Sequence, residues 1–101
     1  MYAILASEEF SGWLRALRDE RAKARIAARI RSAEFGNFGD TAAVGSGVSE
    51  MRIHFGPGYR VYYTRTSETV YVLLIGGDKS SQKGDIAKAK ELARVARMAN
   101  P

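Results

Sequence analysis

The chain has 101 residues, enough for one compact domain and too few for two, and its apolar fraction of 46% allows a hydrophobic core. It contains no cysteine and one histidine, which excludes disulfide bonds and zinc sites built from the usual nitrogen and sulfur ligands. Sixteen Lys and Arg against eleven Asp and Glu give a net charge of +5, which favours an anionic partner such as RNA, DNA or an acidic protein segment.

The N-terminal residues Met1–Phe10 have neither a basic start nor an apolar run long enough for a signal peptide. No segment approaches the about 20 apolar residues that a membrane-spanning helix needs. We therefore expect a single domain over residues 1–101, located in the cytoplasm, with no membrane contact and with neither a metal ion nor a cofactor.

Two helical segments follow a short apolar strand at Tyr2–Leu5. The first helix is predicted to begin after Ser7, a residue type that commonly caps helix N-termini. Its apolar residues recur at helical spacing, and they are Phe10, Trp13, Leu14 and Leu17. The second segment covers about Arg18–Glu34 and is either separate from the first or continuous with it.

The second helical segment carries a basic ridge formed by Arg21, Arg25 and Arg29, which are spaced four residues apart. The ridge lies beside an apolar stripe that consists of Ile26, Ile30 and Ala33. A solvated helix face is the simplest explanation of such a ridge. Its charge also suits contact with the phosphates of RNA or with an acidic partner.

Three strands are predicted after a glycine-rich loop at Phe35–Gly47. They cover Val48–Phe55, Tyr59–Arg65 and Thr69–Ile75, and short links between them make them antiparallel. We expect the apolar faces of the strands to pack against the first two helices through Met51, Ile53, Phe55, Val61, Tyr63, Val72 and Leu74. A last helix follows the strands, with Ile86, Ala89, Ala93 and Ala96 on one side.

The polar faces of the first two of these strands bring together residues that suit phosphate chemistry. Arg52 and His54 point the same way, as do Arg60 and Tyr62 on the neighbouring strand. Lys79, just after the third strand, can reach the same region. We expect these five side chains to share an open face of the sheet, opposite the helices.

This set of residue types fits the cleavage of an RNA phosphodiester. Arg and Lys can stabilise the charge that develops on the phosphate, and His, Tyr or Lys can transfer protons. An aromatic ring can also stack on an unpaired base. The alternative explanation is a basic sheet surface without catalysis, or a His54 whose hydrogen bonds are satisfied by Glu50 or Tyr62.

Five runs along the chain resemble the addiction module killer proteins of the RelE/ParE superfamily, in the same order as in that family. The runs are Phe10–Leu14, Arg25–Arg31, Gly36–Asp40, Gly47–Tyr63 and Gly76–Ile86. The most specific parts are Gly56–Tyr62 and Gly76–Gln82. Within the superfamily the chain is most similar to HigB-like toxins.

The resemblance implies an α+β fold in which N-terminal helices and a C-terminal helix pack on a small, mostly antiparallel twisted sheet. It implies the toxin of a type II toxin–antitoxin system, with a metal-independent endoribonuclease activity on messenger RNA at the ribosome. It also implies a partner, a cognate antitoxin encoded next to the toxin, usually a helix-turn-helix protein.

The resemblance also implies which residues act on the RNA. By position these are Arg52, His54, Arg60 and Lys79. Many relatives carry a late Tyr or His that stacks on the base or moves a proton, but no such residue follows Tyr71 here. We therefore assign that role to Tyr62 or His54, and RNA binding to the ridge of Arg21, Arg25 and Arg29.

Two other functions are compatible with the same sequence. ParE relatives share the fold and inhibit DNA gyrase without catalysis, and fold alone does not separate the two targets. A degenerate toxin that only binds RNA is the third possibility. An endonuclease needs several cations of the strand cluster at once, whereas a gyrase inhibitor has no evident need for them.

Overall fold

Five strands form one sheet in the computed structural model, which describes residues 1–99. The elements in chain order are β1 (Ala3–Ala6), α1 (Glu8–Ala16), α2 (Glu20–Glu34), β2 (Thr41–Gly45), β3 (Val48–Ile53), β4 (Tyr59–Arg65), β5 (Val70–Asp78), a 3₁₀ turn (Lys79–Ser81) and α3 (Gln82–Ala99). The strand order is β1-β5-β4-β3-β2, and β1 pairs with β5 in parallel while the other neighbours are antiparallel. The predicted α+β class with a mostly antiparallel sheet is confirmed.

The first two helices are separate, and each begins at a side chain that accepts backbone hydrogen bonds. The Ser7 hydroxyl accepts the backbone N–H of Phe10 at 3.0 Å, as its position before α1 predicted. The chain is extended at Leu17, and the Asp19 carboxylate then accepts the N–H groups of Arg21 and Ala22 at 3.0 and 3.2 Å. None of the helices in residues 1–99 is long and apolar enough to cross a membrane.

Helices cover both faces of the sheet and create two cores. On one face, α1 and α2 pack against a core that includes Phe10, Ile26, Met51, Ile53, Val61, Tyr63 and Leu73. On the other face, α3 packs through Ala89 and Ala93 against Val48, Tyr62, Val72 and Leu74. The predicted burial of Met51, Ile53, Val61 and Tyr63 against the first two helices is confirmed, and Phe55 packs at the edge of the same core.

The prediction was wrong for Val72 and Leu74, which lie under α3 rather than under α1 and α2. Tyr71 and Leu73 occupy the expected positions instead. The strand is covered on both faces, so its sequence is apolar at nearly every position and carries no alternation that would distinguish the two sides.

The loop predicted over Phe35–Gly47 contains a strand, so that prediction was also wrong. The strand β2 pairs with β3, with Ala42 opposite Glu50 and a register shift between Ala43 and Gly45. Its five residues include two alanines and Gly45, and Gly39 and Gly47 lie close to its ends, so the segment gives a weak sequence signal for a strand. Pairing with β3 at the edge of the sheet is what makes this segment a strand.

The strand β5 continues through two glycines that normally indicate the end of a strand. A side chain at Gly76 would overlap the indole ring of Trp13, and a side chain at Gly77 would overlap the carboxylate of Asp85. These glycines therefore let α1 and α3 approach the sheet from opposite sides. The prediction that the strand ends at Ile75 was wrong because the glycines serve packing rather than a turn.

We expect Gly76→Ala to lower the free energy of unfolding by about 1–3 kcal/mol, because the added methyl group forces the Trp13 ring out of its place. Urea denaturation followed by circular dichroism measures the change. The matched control is Gly84→Ala in α3, where an added methyl group meets nothing within 4 Å. That variant should gain up to about 1 kcal/mol because alanine favours helix. Equal stability of Gly76→Ala and the parent would contradict this account of the packing.

Candidate active site

A buried carboxylate, that of Glu50, organises the polar side of β3 and β4. Glu50 is 2% exposed, and its two oxygens lie 3.1 Å from Arg52 Nε and 3.6 Å from Arg60 Nε. Gln82 Nε2, at the start of α3, donates a hydrogen bond to the same carboxylate at 2.7 Å. The two arginines face each other across the β3–β4 pair, so one carboxylate holds both. No site role was predicted for Glu50 from the sequence, although Glu50 alternates onto the same face of β3 as Arg52.

The expected open face of the sheet is covered by α3, which corrects the predicted arrangement. Tyr62 is fully buried beneath that helix and has no surface on which a base could stack. Its hydroxyl group and Arg60 Nε are the buried side-chain atoms that lack a hydrogen-bond partner among residues 1–99. Burial, followed by the nearby Glu50 carboxylate, raises the pKa of the Tyr62 phenol well above its ordinary value. Tyr62 therefore keeps its proton at neutral pH.

The chemistry-bearing residues that remain accessible meet at the end of the sheet. His54, Arg60 and Lys79 line a cleft of about 450 Å³ together with the turn Gly56–Gly58. Gly58 has a φ of +81°, and a Cβ there would lie 3.6 Å from Arg60 Nη1 and 3.7 Å from Lys79 Cβ. The turn thus brings the two cations to one wall of the cleft. We refer to it below as the cation cleft.

The cations at the end of the sheet differ in exposure and in the ion pairs and hydrogen bonds that they already make. Lys79 is exposed, and its ammonium group makes no ion pair or hydrogen bond within the part of the chain that the structure describes. Arg60 pairs with Glu50, and its side chain is 11% exposed. Arg52 pairs with Glu50 and also lies 3.7 Å from an oxygen of Asp40. Of these cations, Lys79 is therefore the most available to an incoming phosphate.

His54 pairs with Asp40 rather than with Glu50 or Tyr62. Its Nε2 lies 2.5 Å from Asp40 Oδ2, and its side chain is 72% exposed. The hydrogen bond with His54, and then the charge of Arg52, lower the pKa of the Asp40 carboxyl below its usual range. No site role was predicted for Asp40 from the sequence. The available signal was its place at the end of the Gly36–Asp40 run, one of the five runs that carry the family resemblance.

The three arginines of the basic ridge on α2 differ in exposure and in hydrogen bonding. Arg21 and Arg25 are exposed, and the Arg25 guanidinium lies 4.5 Å from the centre of the Phe55 ring. Arg29 instead donates hydrogen bonds to three backbone carbonyls, those of Arg52, Phe38 and Asp40. A second cleft, of about 370 Å³, is lined by Arg25, Arg29 and His54 among others. His54 therefore lies on both clefts and connects the helix ridge with the cation cleft.

A protein family model matches most of the chain, including the residues of the cation cleft. The chain belongs to the family described as Phage derived protein Gp49-like (DUF891), whose model matches residues 12–97. This family is related to the RelE-type toxins of toxin–antitoxin systems, a context in which an antitoxin is the partner. An uncharacterized protein of Haemophilus influenzae is 51% identical over 85 residues, which span 84% of this chain and 86% of that protein.

We expect Tyr62→Phe to lessen the loss of stability at alkaline pH. An unfolded chain releases the phenolic proton near pH 10, whereas the folded chain retains it, so the free energy of unfolding falls as the pH rises above about 10. Phenylalanine removes this contribution, and at pH 7 it should change stability by less than about 1 kcal/mol because the hydroxyl group makes no hydrogen bond of normal length and loses only its contact with the Glu50 carboxylate. Urea denaturation at pH 7 and pH 10.5 measures both effects, and an unchanged alkaline fall would contradict the assignment.

Proposed function

We propose that this chain is a HigB-like toxin of a type II toxin–antitoxin pair and cleaves messenger RNA on the ribosome, which inhibits translation in the cytoplasm. The observation that supports the proposal most directly is the cation cleft, where His54, Arg60 and Lys79 meet at an accessible surface. Relationship to the RelE-type toxins supports the same class of function.

The proposed reaction is an internal transfer of the phosphate within RNA. The ribose 2′-hydroxyl group loses its proton and attacks the adjacent phosphorus, and the bond from phosphorus to the 5′-oxygen breaks. The 5′-oxygen takes up a proton, so the products are a 2′,3′-cyclic phosphate and a 5′-hydroxyl group. Lys79 and Arg60 stabilise the charge that develops on the phosphate, which is the role a metal ion has in other nucleases. His54 transfers the proton at one of the two oxygens, and water exchanges the proton at the other.

The antitoxin is proposed to present an acidic segment to the same surfaces. Arg21 and Arg25 are exposed on α2, and the second cleft connects Arg25 to His54. An acidic segment across this region would neutralise the surface and block the cation cleft. We propose that this antitoxin is a helix-turn-helix protein encoded next to the toxin.

A non-catalytic inhibitor of DNA gyrase is the second candidate, and one observation favours it. Arg52 is already paired with the carboxylates of Glu50 and Asp40, so it is less available for a substrate phosphate than its place on the polar face of β3 predicts. Inhibition by binding does not require free cations in a cleft. Growth arrest without transcript cleavage would support this candidate or an inhibitor that only binds RNA.

We expect Lys79→Ala to lower transcript cleavage by on the order of 100- to 1,000-fold, the usual cost of removing one donor that stabilises developing charge. Primer extension on cellular transcripts after induction measures cleavage directly. Lys79 is exposed and has no partner within residues 1–99, so the fold should be unaffected, which circular dichroism checks.

The matched control is Lys88→Ala, which removes the same charge from an exposed position on α3 outside the cation cleft. It should cleave like the parent. Full cleavage by Lys79→Ala, or an equal loss in both variants, would contradict the assignment of Lys79 to the active site. Arg60→Ala is a less selective test because it also removes a partner of the buried Glu50.

A further inference from the structure

The loop before β2 is built to hold one carboxylate beside His54. Phe38 anchors this loop in the core, where its ring stacks on Tyr63 with the ring centres 5.0 Å apart. Gly39 then turns the chain with a φ of +64°, and Asp40 follows immediately before β2 begins at Thr41. The Asp40 carbonyl accepts the backbone N–H of Arg52 at 2.9 Å, so its backbone is held against β3.

Arg29 clamps the same loop from α2. Its guanidinium donates to the carbonyls of Phe38 at 2.9 Å and Asp40 at 3.2 Å, and also to that of Arg52. A Cβ at Gly39 would lie 2.8 Å from Arg29 Nη2, so glycine is needed for the guanidinium to rest against the loop. A planar group with several donors suits this bridge, whereas a single ammonium group does not. The backbone on both sides of the Asp40–His54 pair is therefore held by one side chain.

We infer that Asp40 is a positioning residue for His54, held in place by Arg29, and that it orients the imidazole so that Nδ1 is the nitrogen available to a substrate in the cation cleft. The contact between His54 Nε2 and Asp40 Oδ2 is the geometric basis of this inference. A carboxylate that accepts one ring N–H sets both the orientation and the protonated nitrogen of a histidine. The part of the inference that concerns substrate rests on the proposed function.

Among the charged groups around His54, Asp40 is the carboxylate that can orient the imidazole. Arg25 and Arg29 share one cleft with His54, and Arg60 and Lys79 share the other. Asp40 is the carboxylate paired with His54 among residues 1–99, and Glu50 is instead engaged by Arg52, Arg60 and Gln82. The imidazole therefore has cations on both sides and one acceptor that fixes its ring.

Nuclear magnetic resonance tests the pairing without reference to any activity. The chain contains one histidine, so the imidazole signals of a ¹⁵N-labelled sample belong to His54 without ambiguity. The parent should show a ring N–H proton at Nε2 that exchanges with water more slowly than that of a free imidazole, because Asp40 accepts it. Asp40→Ala should lose this signal, and Glu91→Ala, which removes an exposed carboxylate on α3, should keep it. The same ring signal in the parent and Asp40→Ala would overturn the inference.

Cleavage assays test whether Asp40 acts through His54. We expect Asp40→Ala to lower cleavage at least about 10-fold, and by no more than His54→Ala does, because a positioning residue can lose only what its partner contributes. The double variant should be no worse than His54→Ala alone. Losses that multiply in the double variant would overturn the inference. If the parent cleaves no RNA, the proposed nuclease function fails, and the ring signal still decides whether Asp40 positions His54.

The clamp is tested by Arg29→Lys, which keeps the charge but loses the fork of donors. This variant should weaken the Nε2–H signal and lower cleavage in proportion, with α2 intact by circular dichroism. Arg31→Lys is the matched control, since it is the same change at an exposed position on the same helix. An unchanged ring signal in Arg29→Lys would remove Arg29 from the positioning role.

Discussion

The position of the Glu50 carboxylate determines how the polar side of this protein is arranged. A charge buried to this degree is costly unless it is paired and hydrogen-bonded, and here Arg52, Arg60 and Gln82 supply the partners. The three partners come from β3, β4 and the start of α3, so one carboxylate links the helix to the sheet. The ion pairs with Glu50 also restrict the conformations of the two arginine side chains. Arg60 is thereby held at the wall of the cation cleft.

Covering the second face of the sheet has a direct consequence for function. The helix α3 covers the face of the sheet that a substrate could otherwise contact, and it buries Tyr62 completely. Accessible polar groups therefore concentrate where the helix does not reach, at the turn Gly56–Gly58 and the residues around it. The glycines at 76 and 77 make this possible, because they let a helix approach β5 from each side.

Two carboxylates, those of Glu50 and Asp40, pair with most of the cations at the end of the sheet. Glu50 holds Arg52 and Arg60 from the buried side, and Asp40 contacts Arg52 and His54 from the loop before β2. The Lys79 ammonium group remains unpaired within residues 1–99, and it shares the cation cleft with His54, which is paired with Asp40. Such an arrangement suits a site in which paired groups are preorganised and one unpaired cation is available to an anion.

The sequence by itself determined the α+β class, the start of α1 and the inward faces of β3 and β4, because those features depend on local periodicity and capping. It also grouped His54, Arg60 and Lys79, since strand alternation and a short turn bring them together. Only the tertiary structure decided that α3 covers the opposite face, that Tyr62 is buried, and that Glu50 and Asp40 engage the cations. These outcomes depend on which element packs against which face, and a strand that is apolar on both faces, such as β5, has no pattern that specifies it.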